Sequence, residues 1–548
     1  MRNFRIFLCL LLGLSSKILA QSDDNIGHYP FDVPSLKEQA STAGIIHSYT
    51  GPWEYFVGGG AASFDCNQDR FPDLFIAGGT STAQLFVNQS RLAGELRFKL
   101  RSIPIAENLL KNITGAYPIN IDNDEYTDLI VLRVGKNLIL KGGENCTFSL
   151  WNKGLKFNGG SEWSTAFAAI WEKNEVYPTL AFGNYVDRQA PGSPWGTCHD
   201  NQLFRANENG LYEETISLSP SYCTLSLMFT DWNKSGEPAL RVSNDRQYYR
   251  GGKEQLWQIE PQKFPHQYTT TQGWETLQIW GMGIAQADLN ADGFPEYALS
   301  SMGDTKLQIL DDELGEGRPT YRDRAYDRGA TAHRPYVGDD SKPSTGWHTQ
   351  FADFNNDARQ DLFIAKGNVE AMPDFAKYDP NNLLLTGLNN TFIEQGEQAG
   401  IALDTNSRGA IVEDFNNDGQ LDLLTINRKQ NVSLFRNLGS QTQWGHRPMG
   451  NWIKIELHNG ETNPMAIGAT ISVKTGNHSQ ARTINIGGGH ASGQVGFTHF
   501  GLGVAERATI RVQWPDGDWS HPYKVFANHH VVIKRGEEIP AYWYAAEN

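Results

Sequence analysis

A short acidic motif recurs along the chain, with carboxylates or amides at its first, third, fifth and ninth positions. Alternate side chains of a tight turn converge on one point, and the ninth position returns an acid from the start of the next strand. Oxygen ligands crowded in this way suit Ca²⁺, which takes roughly six to eight of them. The four complete copies, whose residues are predicted calcium ligands, are Asp65, Asn67, Asp69 and Asp73; Asp288, Asn290, Asp292 and Glu296; Asp353, Asn355, Asp357 and Asp361; and Asp414, Asn416, Asp418 and Asp422.

A fifth copy begins with Asn120 in place of the leading acid and supplies three further predicted ligands, Asp122, Asp124 and Asp128. Two more copies are decayed, one with its frame at residue 170 and one that runs from Asp231 to Ala239. We expect these two to be structural turns without metal. A solvated turn would explain any single copy equally well. Several copies in phase favour metal, because crowded carboxylates repel each other unless a cation neutralises them.

The elements that position these motifs are short strands. Apolar runs such as residues 71–77 and 421–426 accompany the motifs and predict buried strands. The seven frames begin at residues 65, 120, 170, 231, 288, 353 and 414. Units of about 50 to 65 residues have the size of four-stranded blades closed into a ring. The repeat therefore predicts an all-β fold that begins with a seven-bladed β-propeller.

The region after the last repeat has the pattern of a small β domain. Residues 452–457 and 469–474 alternate apolar and polar side chains, which is typical of half-buried strands. Glycines 487–489 indicate either a tight turn, which we favour, or a close approach of the backbone to a ligand. We therefore predict a signal peptide at residues 1–20, a propeller at 21–445 and a small β domain at 446–548.

Several features of the sequence predict export. Arg2 and Arg5 precede an apolar stretch that ends in small residues at Ala20, as in secretory signal peptides. The four remaining cysteines suit disulfides, with all three pairings open: Cys66, Cys146, Cys198 and Cys223. We predict a secreted or periplasmic protein. Sequons that a glycosylating host would use stand at Asn88, Asn112, Asn145, Asn233, Asn389, Asn431 and Asn477.

The charge and hydropathy of the chain exclude two classes of partner. The formal net charge is -15, and no basic stripe offsets it, which argues against nucleic acid. No later run of about 20 apolar residues indicates a membrane span.

The motifs resemble the FG-GAP or VCBS-type repeats of integrin-α-like seven-bladed propellers, with matching flanks at residues 281–283, 408–409 and 434–437. The C-terminal region resembles an ASPIC/UnbV domain at residues 463–469, 487–494, 499–503 and 512–517. His490 and Gly493 depart from the pattern expected there. Together these features resemble the cartilage-acidic-protein family of secreted proteins. The resemblance implies an integrin-α-like propeller followed by an ASPIC/UnbV-like β domain.

Two functional hypotheses follow from these residues. The first is a secreted, calcium-stabilised propeller that acts as an extracellular binding or adhesion module for a protein, a glycan or a small molecule. The second is an exported lyase, isomerase or cyclase with a calcium-supported propeller pocket. The sequence contains no Walker A, G-x-S-x-G or H-E-x-x-H motif. Candidate catalytic groups for the second hypothesis are His199, His348 and Asp187.

Overall fold

Each acidic motif lies between the first two strands of a four-stranded antiparallel sheet, or blade. The computed structural model describes residues 32–190, 197–245, 251–311, 317–331, 342–370 and 372–545. The predicted signal peptide at residues 1–20 lies outside these residues. The predicted all-β propeller is confirmed, and seven blades follow one another within the described part of the chain.

The strands of each blade are consecutive in sequence, except in the last blade. Blades 1 to 3 are Ala61–Phe64, Asp73–Ile76, Gln84–Asn88 and Phe98–Arg101; Ile113–Ile119, Asp128–Arg133, Leu138–Gly143 and Thr147–Leu150; and Ser164–Ile170, Thr179–Asn184, Asn201–Phe204 and Ile216–Leu218. Blades 4 to 6 are Thr224–Thr230, Ala239–Asn244, Gln255–Gln258 and His266–Gln267; Gly281–Ala287, Glu296–Ser301, Lys306–Leu310 and Tyr321–Asp323; and Gly346–Ala352, Asp361–Lys366, Asn382–Thr386 and Phe392–Glu394. Blade 7 is Ser407–Glu413, Asp422–Asn427, Ser433–Thr442 and Pro34–Glu38.

The ring closes through both ends of the propeller. Strand Pro34–Glu38 pairs with Ser433–Thr442, so the first strand of the chain completes the last blade. The inner strand of that blade, Ser407–Glu413, packs against the inner strand of blade 1, Ala61–Phe64. The inner strands of blades 1 and 7 are buried along their whole length, whereas an outer strand such as Phe98–Arg101 buries only its first residue. Within the described residues, helical segments are limited to single turns: Ala325–Arg328 and Gly396–Ala399 are α-helical, and Trp53–Tyr55, Glu107–Leu110, Glu144–Cys146, Thr270–Gln272 and Leu388–Asn390 are 3-10 turns.

The register of blade 3 corrects the frame of its decayed motif. In the other blades the residue before the motif pairs with the ninth position, as Phe64 pairs with Asp73. In blade 3 the corresponding pair is Ile170 and Thr179, so the motif begins at Trp171. The frame expected at residue 170 was therefore wrong by one position. Burial of the inner strand sets this register, and a motif without its acids gave no competing signal.

Two disulfides each join neighbouring blades. Cys66, in the motif of blade 1, is bonded to Cys146 of blade 2, with 4.8 Å between the Cα atoms. Cys198, in blade 3, is bonded to Cys223 at the start of blade 4, with 4.9 Å between the Cα atoms. The structure thus selects one of the three pairings that the sequence left open.

The C-terminal domain consists of two four-stranded sheets around their own apolar core. One sheet has the order Thr498–Gly503, Asn451–His458, His529–Lys534 and Ala541–Trp543, and the other has the order His478–Thr483, Thr470–Thr475, Arg507–Gln513 and Tyr523–Phe526. The side chains of Ile453, Ile471 and Ile510 are fully buried between them. The predicted boundary at residue 446 falls inside strand Gly445–Arg447, which pairs with the last propeller strand.

A loop of the C-terminal domain fills the centre of the propeller. This segment, residues 486–495, is called the plug below. Its backbone accepts a hydrogen bond from Ala169 N in blade 3 and donates to Leu227 O in blade 4 and Ile284 O in blade 5, at 2.6 to 3.2 Å. The short strand Gly493–Gln494 pairs in parallel with Ala62–Ser63 of blade 1.

The remaining blades also contact the plug. Ala116 N of blade 2 donates to Ala491 O at 3.2 Å. The backbone N–H of His490 donates to Nδ1 of His348 in blade 6 at 3.1 Å. Gln494 Nε2 donates to Val412 O in blade 7 at 3.0 Å. All seven inner strands therefore bind one segment, which joins the two domains into one compact unit over residues 32–548.

Glycines permit this close packing on both sides of the contact. A Cβ on Gly60 of blade 1 or Gly115 of blade 2 would lie 1.8 or 2.2 Å from Ala491 O. In the plug, Gly488 and Gly489 have φ values of +76° and +53°. The sequence favoured a tight turn for these glycines, and the structure adds a close approach to the propeller backbone.

A matched pair of glycine substitutions tests the plug. Gly489 and Gly476 have similar φ values, but a Cβ on Gly489 would lie 2.3 Å from His348 Cε1, whereas a Cβ on Gly476 meets nothing within 4 Å. We expect Gly489→Ala to lower the free energy of unfolding by about 1–3 kcal/mol more than Gly476→Ala, because it overpacks the channel. Chemical denaturation of both variants measures the difference, and equal losses would contradict this role of the plug.

Candidate metal centres

The first acid of each complete motif holds its own turn together. Asp65 accepts hydrogen bonds from the backbone N–H groups of Asp69 and Arg70, at 3.2 and 2.7 Å. Asp414 accepts equivalent bonds from Asp418 and Gly419, at 3.0 and 2.9 Å. Both carboxylates therefore lie inside the turn, where the residues of the third and fifth positions converge.

The third position of two motifs and the first position of another leave an oxygen atom without a protein partner among the described residues. Asn67 donates from Nδ2 to Asp69 at 2.8 Å, and Asn416 donates in the same way to Asp418 at 3.0 Å. The Oδ1 atoms of both asparagines are buried and have no hydrogen-bond partner among the described residues. Asp288 Oδ1, at the first motif position of blade 5, is also buried and has no hydrogen-bond partner among the described residues. Buried oxygens are nearly always bonded in proteins, so these atoms fit a cation that takes oxygen ligands.

The ninth-position acid fastens the turn to the blade. Asp73 accepts from Cys66 N through Oδ2 and from Asn88 N, in the third strand, through Oδ1, both at 2.8 Å. Asp361 and Asp422 make the same two types of bond. These acids would hold the loops in shape with or without metal, and their remaining lone pairs are available to a cation.

Burial and like charges raise the pKa values of these carboxyl groups. Burial raises the pKa of Asp65 to about 6 and that of Asp418 to about 7, and neighbouring motif acids add to both shifts. Burial likewise raises the pKa of Glu296 to about 8. The pKa values of Asp73 and Asp422 lie well above the usual range for the same reasons. Crowded acids of this kind favour protonation or a bound cation over free ionisation.

The motif of blade 2 differs from the complete copies. Asn120 donates to Asp124 O at 2.5 Å, so the leading position no longer accepts bonds from the turn. The ammonium group of Lys141 lies against Asp122 and is 3.1 Å from Asp124 Oδ2. Asp128 keeps its bonds to Ile121 N and Gly142 N. The structure thus brings the three predicted ligands together but adds a basic side chain.

The C-terminal domain sits on the motifs of blades 1, 6 and 7, which the sequence did not predict. Lys454 is fully buried, and its Nζ lies 3.3 Å from Asp414 Oδ2 in blade 7. Arg70, in the blade 1 motif, forms a 2.7 Å ion pair with Glu456. His478 Nε2 lies 2.7 Å from the Ala358 carbonyl in the blade 6 motif. Lys454 stands at a polar place of an alternating strand, so no signal in the sequence indicated that it would be buried in this interface.

Glycines again allow the contact. A Cβ on Gly419, in the blade 7 motif, would lie 1.9 Å from the indole ring of Trp452. A Cβ on Gly501 would lie 2.0 Å from Asp353 Oδ2, a predicted ligand of blade 6. The motif loops therefore have a second role as the surface on which the C-terminal domain packs.

The three candidate catalytic residues do not form one site. His348 is buried against the plug, and burial lowers its pKa to about 4. His199 and Asp187 lie 3.4 Å apart in the loop between the second and third strands of blade 3, at the opposite end of the blades from the motifs. The plug therefore separates His348 from the other two residues.

A cavity of about 260 Å³ lies between blades 5 to 7 and the C-terminal domain. Gln286, His348, Gln350, Arg482 and Gln494 are among the side chains that line it. Gln286 Oε1 is buried without a hydrogen-bond partner among the described residues. The size of this space and its amide groups suit a small polar molecule rather than a macromolecule.

The raised carboxyl pKa values predict how the metal-free protein responds to pH. A carboxyl whose pKa is higher in the folded state binds protons more tightly there, so its contribution to stability is lost as the pH rises through the folded-state pKa. Buried His348 and His490, whose pKa values are lowered to about 4 and about 3, have the opposite effect, but only below about pH 6.5.

In excess chelator we therefore expect the melting temperature to fall as the pH rises from about 6.5 to about 8, with Glu296 and Asp418 as contributors. Saturating calcium should reduce this slope, because metal-bound carboxylates are ionised throughout the interval. Thermal melts in both media measure it. A metal-free protein whose stability is constant or rises over this interval would contradict the prediction.

Comparisons with known proteins fit the architecture described above. A family model described as ASPIC and UnbV matches residues 459–540. Cartilage acidic protein 1 of Homo sapiens is 30% identical over 251 residues, and that of Mus musculus is 28% identical over 250 residues. These matches cover 43% of this chain and 33% and 34% of the two relatives. The chain thus spans about a third of the length of the curated relatives it matches.

Solved structures with a similar fold have low sequence identity. BBS1N in complex with ARL6DN has a TM-score of 0.41 and 9% identity, over 74% of this chain and 96% of that chain. The Dos1 propeller has a TM-score of 0.36 and 9% identity, over 73% and 97%. No helix in the described part of the chain is long and apolar enough to cross a membrane. The chain therefore carries an ASPIC and UnbV domain match at its C-terminal end and is similar to cartilage acidic protein 1 over part of its length.

Proposed function

We propose that the chain is a secreted, calcium-stabilised propeller that acts as an extracellular binding module. The observation that carries the calcium assignment is the repeated turn in which three acids and an asparagine converge around buried oxygens. Asn67 Oδ1, Asp288 Oδ1 and Asn416 Oδ1 are such oxygens in three of the four complete motifs. A Ca²⁺ ion bound there would neutralise two of the three carboxylates and would supply the missing partner for these atoms.

The C-terminal domain and the plug already occupy the motif face and the central channel of the propeller. This favours ligand binding at the opposite end of the channel. The C-terminal domain covers the motif face in blades 1, 6 and 7, and the plug fills the channel. At the opposite end of the channel, Trp53, Phe56, Trp163 and Tyr185 form a cluster of aromatic contacts at 4.9 to 6.3 Å. Trp163 and Tyr185 are fully buried, whereas Trp53 and Phe56 are half-buried, and half-buried aromatic side chains are frequent in surfaces that bind proteins or glycans.

Secretion is supported by the cysteines and by the sequence of the N-terminus. All four cysteines of the described residues are in disulfides, which persist in oxidising compartments. The sequons at Asn145, Asn389 and Asn477 are exposed and suit glycosylation. Asn88 is buried, with its amide bonded to Pro72 O and Phe415 O, so the folded protein cannot present it.

Calcium binding is tested by comparing Asp418→Asn with Asp231→Asn. Asp418 belongs to a complete motif, whereas Asp231 belongs to a copy whose ninth position is Ala239. At a free calcium concentration about a hundredfold above the dissociation constant, one site stabilises the folded protein by about 2.7 kcal/mol. We expect Asp418→Asn to lose this calcium-dependent stabilisation. Asp231→Asn should have the same melting temperature as the parent protein.

The same melts in excess chelator complete the calcium test. Chelation should lower the melting temperature of the parent protein. The difference in melting temperature between the parent protein and Asp418→Asn should then become smaller. Identical melting curves of the parent protein in calcium and in chelator would contradict the proposed metal.

The binding role requires a separate experiment. We expect immobilised extracellular proteins or glycans to retain the calcium-loaded protein. If the ligand is a small molecule, we expect it to be recovered from the protein chemically unchanged. Trp53→Ala should weaken retention if the aromatic end of the channel is the binding surface. Trp444→Ala, which removes an exposed side chain outside the aromatic cluster, should not weaken it. Conversion of a ligand that is abolished by His199→Ala would instead support the exported-enzyme hypothesis.

A further inference from the structure

Blade 2 contains a positive charge where the complete motifs offer space to a cation. The ammonium group of Lys141 contacts the carboxylates of both Asp122 and Asp124. These are the third and fifth positions, whose side chains converge in the complete motifs. The ammonium group of Lys141 also lies over the Trp151 ring, with Nζ 4.5 Å from the ring centre. The lysine is therefore positioned by packing as well as by charge.

Lys141 occupies a defined place in the blade. Leu129 is the residue after the ninth motif position, and it pairs with Leu140 of the third strand. Lys141 is the residue that follows Leu140. In blade 3 the same place, after Phe204, is taken by Arg205. Arg205 Nε donates to Glu172 at 2.6 Å, and Glu172 is only 2% exposed. The two blades whose motifs lack a leading acid thus both place a basic residue here.

Among the blades with complete motifs, three have an apolar residue at this position and the fourth has an arginine whose charge also acts on Asp418. The equivalent residues are Val87 in blade 1, Ile309 in blade 5 and Leu385 in blade 6. In blade 7 the residue is Arg436, which forms a 2.6 Å ion pair with Glu95 of blade 1.

Lys454 of the C-terminal domain also approaches a motif, but differently. Its Nζ contacts a single predicted ligand, Asp414, and makes its shortest bond, of 2.9 Å, to Asn417 Oδ1. Lys141, by contrast, bridges two ligands of one motif. A Ca²⁺ ion in blade 2 would compete with this ammonium group for two carboxylates, whereas a Ca²⁺ ion in blade 7 would share only Asp414 with Lys454.

We propose that Lys141 takes the place of the metal ion in blade 2, so that this blade is held by a built-in cation and calcium binds only at the four complete motifs. This inference rests on the proposed function and revises the expectation of a fifth site at Asp122, Asp124 and Asp128. Asn120 Oδ1 and Asp122 Oδ1 are buried without a partner among the described residues, as Asn67 Oδ1 and Asn416 Oδ1 are in the complete motifs, so unpartnered oxygens do not distinguish blade 2. The difference between the blades lies in the charge.

Calcium counting on matched variants tests the proposal. Asp69 and Asp124 stand at the fifth position of the motifs in blades 1 and 2. Equilibrium dialysis followed by elemental analysis gives the number of calcium ions bound per chain. We expect Asp69→Asn to lose one ion and Asp124→Asn to lose none. Loss of one ion from Asp124→Asn would overturn the proposal and leave the proposed function intact.

A second pair of variants tests whether the lysine is what prevents binding. Lys141→Met keeps an unbranched stem against Trp151 but removes the charge. The double variant Asn120→Asp with Lys141→Met should bind one more ion than the parent protein, whereas Asn120→Asp alone should bind the same number. A folded double variant that gains no ion would overturn the proposal. Absence of calcium from the parent protein would overturn the proposed function and this inference with it.

Discussion

The constraint on which the structure depends is the crowding of carboxylates in the turn between the first two strands of a blade. The motif acids are placed there by the strand register, and the ninth acid ties each turn to the third strand, as Asp73 does with Asn88. Such an arrangement is stable only if protons or cations balance the charge. The blades meet this demand differently, with a proposed Ca²⁺ ion at the complete motifs and with Lys141 in blade 2, where the leading acid is missing.

The same turns determine how the two domains are joined. Because the motif loops of blades 1, 6 and 7 face the C-terminal domain, their shape decides whether Lys454 and Trp452 can pack against them. The plug then reaches all seven inner strands from that side. The propeller and the ASPIC and UnbV domain are therefore one structural unit, and the stability of the turns and the docking of the C-terminal domain are coupled through shared residues such as Asp414.

Filling the channel changes where function can be located. Propellers commonly bind ligands at the central channel, and the enzyme hypothesis relied on such a pocket. Here His348 serves the plug by accepting a hydrogen bond from His490 N. The space left between the domains is small and polar, and the aromatic cluster around Trp163 lies at the other end of the channel. Because the plug fills the channel, the face away from the motifs is the proposed binding surface for a macromolecular ligand.

The sequence by itself determined the repeat, and with it the blades, because the alternation of acidic turns and apolar strands is local and recurs in phase. It also determined which oxygens converge, since Asp65, Asn67 and Asp69 are neighbours in one turn. Only the tertiary structure decided the disulfide pairing, the register at Trp171, the approach of Lys141 to Asp122 and the role of glycines 487–489. Those features join residues that are far apart in the chain or on different strands, and their contacts follow from the packing of whole blades and domains, which no local pattern encodes.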